Sequence, residues 1–164
     1  MHSHGLALAA VLWLPILCVG SRRLLKAFAR RGRRTPARLL AGYEALNLRT
    51  RVVLFLMLVD ATVHLALIPE HAPDTITALL FAADFVVLTV LILVAVVGFD
   101  GWRPMAYVVL TGEVAAYVFY VSSGREAFDV TGVATKAVEL AAMAMLATEG
   151  SRSRHQRAAH SGSR

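Results

Sequence analysis

Long apolar stretches, broken by short polar or basic punctuation, set the pattern of this chain. Residues 5–20, 52–68, 75–99, 104–121 and 130–148 are each predominantly apolar. A run near 20 residues is what an α-helix needs to cross a hydrocarbon core of about 30 Å. The first run is short, at 16 residues, but Leu24, Leu25 and Phe28 continue its apolar character. Arg22, Arg23 and Lys26 can then reach back to the headgroups along their aliphatic stems. The pattern predicts an all-α, polytopic membrane helical bundle with five transmembrane helices.

The punctuation predicts the corners. In Arg30-Arg-Gly-Arg-Arg-Thr-Pro36, Gly32 suits the position just past one helix end, and Thr35 with Pro36 suits the start of the next. Leu39, Tyr43 and Leu46 recur at helical spacing on an otherwise basic segment. Residues 36–68 therefore read as one long helix whose first part overhangs in the cytoplasm or lies on the membrane surface. A separate interfacial helix is the alternative. Pro69 to Pro73 form an outer turn, and Asp74 is the expected N-cap of the third span. Residues 98–104 form an inner turn with Trp102 at headgroup level, and Tyr117 and Tyr120 form an aromatic belt at the other side. Residues 1–150 thus make one transmembrane domain with a basic cytoplasmic hairpin at 21–51. The basic tail, 151–164, lacks apolar periodicity and is expected to be disordered.

Composition agrees with a membrane setting: 57% of residues are hydrophobic and the mean hydropathy is +0.61. The net charge of +6 invites nucleic acid as a partner, but the placement of the charges excludes it. Ten of the 17 Lys and Arg fall between Arg22 and Arg51, and four follow Gly150. Five spans with the N-terminus outside and the C-terminus inside put both clusters on the cytoplasmic side of a plasma membrane. There they serve as topology signals and contacts for anionic lipid headgroups. Only Arg125 falls in an outer loop. Met1-His-Ser-His4 offers no positive region before the first apolar run, which is therefore expected to be a retained helix rather than a signal peptide. His2 and His4 read as a frayed terminus. The single cysteine, Cys18, excludes an internal disulfide and a cysteine metal cluster. The abundance of Ala, Val, Arg and Gly is a habit of high-GC bacterial genomes.

The candidate chemistry lies inside the apolar runs. Asp60 and His64 are four residues apart and share a helix face. Asp84, Glu113, Lys136 and Glu139 interrupt the later spans. Asp60 is eight residues below Ile68, Asp84 nine below Thr75, Glu113 eight below Val121 and Glu139 nine below Val130. At about 1.5 Å per residue, all four carboxylates lie roughly 12–14 Å below the outer interface, near the midplane. Four carboxylates at one depth cannot all stay ionised in a dry bundle. They must hold protons, pair with Lys136 or His64, or bind a cation. The predicted polar pocket is Asp60, His64, Asp84, Glu113, Lys136 and Glu139.

For metal chemistry, His64 and His71 with Asp60 or Glu70 offer the nitrogen and oxygen donors that divalent transition metals accept. On an unbroken helix the two histidines are about 10 Å apart along the axis, so a bend at Pro69 is needed to bring them to one ion. The motifs of covalent catalysis are absent: there is no Gly-x-Ser-x-Gly, His-Glu-x-x-His, phosphate loop or Cys-x-x-Cys. The stretch from His64 to Pro69-Glu70-His71 resembles a pattern at the outer helix end of small multi-pass bacterial membrane proteins. That resemblance implies a membrane fold and no particular activity.

Two functions fit. One is a pocket, open toward the outer face, that binds or conducts a proton, a cation or a small polar ligand. The other is a non-catalytic scaffold or accessory subunit whose carboxylates pair internally and whose basic hairpin meets lipid. For either, a protein partner or a second copy of the chain is the expected company beside the bilayer.

Overall fold

A computed structural model of the chain describes residues 34–124 and 130–161, together with Leu14, Arg23, Lys26 to Phe28 and Arg30. The expected first span therefore lies outside the described residues except for Leu14, and Cys18, His2, His4 and Arg125 lie outside them too. The described elements are all helical: α1 (Arg34–Ala45), α2 (Leu48–Leu67), α3 (Thr75–Val97), α4 (Trp102–Ser122) and α5 (Val130–Ser161). Four of them are long and apolar enough to cross a membrane: α2, α3, α4 and the Val130–Thr148 part of α5.

The expected single helix over 36–68 is broken at Leu46 and Asn47. Asn47 has extended backbone angles, and its Oδ1 accepts the Thr50 N–H at 2.8 Å, which makes it the N-cap of α2. An asparagine side chain that satisfies an orphan N–H offers the backbone an alternative to continuing the helix. The corner is then locked from the other side. The Arg51 guanidinium donates to the Glu44 carbonyl at 2.8 Å and lies 5.2 Å from the centre of the Tyr43 ring. Thr35 is not a cap either, because α1 already includes Arg34.

The remaining ends follow their sequence signals. Asp74 caps α3, accepting from the N–H groups of Ile76 at 3.2 Å and Thr77 at 3.4 Å and from the Thr77 hydroxyl at 2.6 Å. Those bonds favour the ionised carboxylate and hold its pKa below the ordinary 3.8, the Thr77 hydroxyl contributing most. At the far end of α3, Gly98 has a φ of 90°. Its N–H bonds to the Ala95 carbonyl, while Phe99 N–H reaches the Val94 carbonyl. This paired closure needs a left-handed residue, and glycine takes that conformation without a Cβ penalty. Trp102, expected at headgroup level, begins α4 and is buried against the core, with the Arg103 guanidinium over its ring. Helix α5 continues to Ser161, through most of the tail expected to be disordered. That tail contains Arg, Gln and Ala and no proline, so its local propensity does not oppose helix.

Around the bundle, α2 packs on α3 and α5, and α4 packs on the same two helices. The four thus form a ring in which α2 faces α4 across the axis. The apolar core is built from helical stripes: Val53, Met57 and Ala61 on α2, Leu88, Leu91 and Ala95 on α3, Ala106 and Leu110 on α4, and Ala142 and Leu146 on α5. Apart from Ala61, which lies beside Asp60, these residues occupy the half of the bundle nearer the Gly98 turn. The outward faces carry large exposed apolar side chains such as Leu79, Val86, Val90, Val108, Val118 and Leu140. Exposed apolar side chains in this number are compatible with a membrane setting. Helix α1 lies against the end of α3, where Gly42 approaches the Val96 carbonyl so closely that a Cβ would stand 2.0 Å from its oxygen.

Candidate functional site

Each apolar stripe of the core turns polar one helical turn farther along, in the half of the bundle nearer the Pro69 turn. On α2, Met57 and Ala61 lead to Asp60 and His64. On α3, Leu88 is preceded by Asp84. On α4, Leu110 leads to Glu113, and on α5, Ala142 is preceded by Glu139 and Thr135. The same helix faces that pack the core therefore point the ionisable residues inward. Asp60 and Glu139 are fully buried at 1% and 0% exposure, and His64 and Glu113 nearly so at 4% and 7%. Asp84 and Lys136 are half-buried.

The groups converge on the bundle axis. Asp60 has the Glu113 and Glu139 carboxyls as close neighbours, with Lys136 and Asp84 at longer range. His64 Nδ1 is 3.7 Å from Asp60 Oδ1. Lys136 donates to Glu139 Oε1, one turn away on the same helix, and its ammonium lies 5.6 Å from the Tyr117 ring centre. Two donor triads can be drawn in which every candidate ligand atom lies within 4.8 Å of the others: Asp60 with His64 and Glu139, and His64 with Asp84 and Glu113. His64 belongs to both.

Satisfaction of these groups is uneven. Both oxygens of Asp60, both of Glu113, Glu139 Oε2 and His64 Nδ1 are buried without a hydrogen-bond partner among the described residues. Thr135 has one, donating to the Thr131 carbonyl at 2.8 Å. A buried polar group without a partner costs a few kcal/mol. Several such groups in one cluster call for an explanation beyond apolar packing.

A cavity of about 660 Å³ adjoins the cluster. His64, Asp84, Glu113 and Lys136 line it, and Glu70 and His71 line its wall near the Pro69 turn. Asp60 and Glu139 are not among its walls. Of the residues predicted as metal ligands from sequence, Asp60 and His64 fall within the triads. His71 and Glu70 belong to neither. The His71 ring nitrogen Nδ1 lies 3.0 Å from the Leu67 carbonyl, to which it is hydrogen-bonded.

One contributor escaped the sequence reading. The Phe81 ring stacks on His64, with centroids 5.5 Å apart, and meets His71 edge-on at 4.8 Å. It fixes the His64 ring plane and separates the two imidazoles. Phe81 stands three residues before Asp84 and so shares its helix face; that spacing was the available signal.

No protein-family model matches the chain, and no curated protein or solved structure is significantly similar to it.

Proposed function

We propose that this chain is an integral membrane protein whose helical bundle holds a cation-binding pocket open toward the outer face. The carrying observation is the meeting of Asp60 and Glu113 across the ring. They come from facing helices, α2 and α4, and all four of their carboxyl oxygens are buried without a hydrogen-bond partner among the described residues. Two such groups at close range need positive charge between them, as a proton or as a metal or other cation. Lys136 supplies one such charge, but it is committed to Glu139. The cavity bordering Glu113 and Asp84 provides the approach, and His64 at its edge provides a proton acceptor or a ligand.

The scaffold reading draws support from the closed Lys136–Glu139 pair. It accounts for Asp60 and Glu113 as a pair sharing one proton, but not for the cavity that borders Glu113, so the pocket is the better account. Proton and cation uptake by the full chain reconstituted in lipid vesicles tests it. Asp60→Asn should reduce uptake severalfold while the protein remains helical and inserted. Equal uptake by both proteins, at the level of empty vesicles, would favour the scaffold.

A further inference from the structure

We infer that the cluster is a two-station site for a divalent transition-metal ion, with His64 shared between the stations; this rests on the cation-pocket reading above. The outer station is His64, Asp84 and Glu113, and the inner one is Asp60, His64 and Glu139. Three features of the geometry carry it. First, each station combines one imidazole with two carboxylates; the two carboxylates of the outer one balance a divalent ion, while Lys136 offsets one charge of the inner pair. Secondly, the donors are built in rather than lying on the surface. His64 Nδ1, both oxygens of Asp60 and Glu113, and Glu139 Oε2 are buried with no hydrogen-bond partner among the described residues. Their residues are all more than nine-tenths buried. Thirdly, the stations differ in access: His64, Asp84 and Glu113 border the cavity, whereas Asp60 and Glu139 stand behind them. An ion entering from the cavity meets the outer station first, and His64 passes it inward.

The chemistry of the donors selects the class of ion. Magnesium and calcium favour all-oxygen shells, whereas an imidazole beside carboxylates suits zinc, iron, manganese or cobalt. Such ions hold their ligands at about 2.0–2.2 Å. Donor atoms that lie up to 4.8 Å apart would therefore draw in by side-chain rotation when the ion binds. Phe81, stacked on the His64 ring, limits that adjustment on the histidine and leaves it to the carboxylates. Lys136 already holds Glu139 Oε1, so the inner station receives its ion through Oε2.

Titration of the detergent-solubilised full chain with Co²⁺, in excess Na⁺ and Mg²⁺, tests this through the visible absorption of the coordinated ion. Two stations that share one histidine predict a distinctive pattern. His64→Gln should weaken Co²⁺ binding by about tenfold or more, equivalent to 1.4 kcal/mol. Asp60→Asn or Asp84→Asn alone should weaken it only a few-fold, because the other station survives. The Asp60→Asn/Asp84→Asn double variant, which keeps His64, should approach the loss seen with His64→Gln. Wild-type binding by His64→Gln would overturn the proposal. So would a single Asp84→Asn change as damaging as loss of the histidine, since that describes one station. If Co²⁺ binding ignores His64 while vesicle uptake still depends on Asp60, the metal assignment falls and the cation pocket stands. If neither dependence appears, both fall.

Discussion

Among the described residues near the bundle axis, Lys136 is a cation amid carboxyl groups, and it donates to Glu139 on the same helix. Lys136→Met leaves Glu139 buried beside Asp60 with no positive neighbour on its own turn. Thermal unfolding in detergent should show a loss of stability that Lys136→Met/Glu139→Gln largely restores. The coupling between the two changes is expected to be on the order of 1 kcal/mol, as for other polar pairs inside helical membrane bundles. Additive losses would mean that the pair contributes no specific interaction. If the cluster takes a cation, Lys136→Met should also tighten its binding, because a competing charge is gone. Helical rise converts residue count into level along an axis, so a common level for Asp60, Asp84, Glu113 and Glu139 was legible from sequence. Their facing one another depends on helix rotation, which residue count does not give. The partners of His64 were less legible. Phe81 reads as one more apolar residue in an apolar run, and only the rotation of α3 against α2 places its ring on the imidazole.

At the level of elements, the docking of α1 depends on a residue chosen for its absence of side chain. By propensity alone, Gly42→Ala should stabilise a helix by about 1 kcal/mol. Here the added Cβ would meet the Val96 carbonyl oxygen at 2.0 Å, and neither backbone can yield without moving a helix. Gly42→Ala should therefore lower the melting temperature and speed amide hydrogen exchange across α1. A higher melting temperature would show that α1 does not rest on α3 there. The Asp74 cap makes a pH-dependent prediction. Its carboxyl is held below the ordinary 3.8, so its support for the first turn of α3 is complete above the usual carboxylate range. That support is lost as the pH falls through the lowered folded-state value. Amide exchange at Ile76 and Thr77 should accelerate in that acid range, and Asp74→Ala should show the faster exchange already at neutral pH. Because Asp74 is exposed, the effect is local and small. Asp74 and Gly98 were legible as helix ends because each sits where an apolar run stops. Asn47 was not, because Leu39, Tyr43 and Leu46 lead toward Val52 without losing the helical pattern. The break there is decided by one side-chain hydrogen bond to Thr50 N–H.

For the molecule as a whole, four helices are long and apolar enough to cross a membrane, and their exposed leucines and valines are compatible with that setting. The orientation proposed from charge placement makes the face with the Pro69 turn and the mouth of the pocket the outer one. Cysteines introduced at Ala72 or Ser122 should react with an impermeant reagent on intact cells, and one at Ser151 only after permeabilisation. The reverse pattern would invert the orientation and place the pocket mouth in the cytoplasm. If the buried carboxylates hold a cation, ligand-linked stability measures it most directly. Thermal unfolding of the full chain in detergent should be compared with and without Zn²⁺, for wild type and for Asp60→Asn/Glu113→Gln. At about a hundredfold excess over the dissociation constant, a ligand bound only by the folded state stabilises it by about 2.7 kcal/mol. For a chain of this size that corresponds to a rise of roughly 5–10 °C in melting temperature. The wild type should show such a rise and the double variant less than about 2 °C; an equal rise in both, or none in the wild type, would contradict the cation pocket.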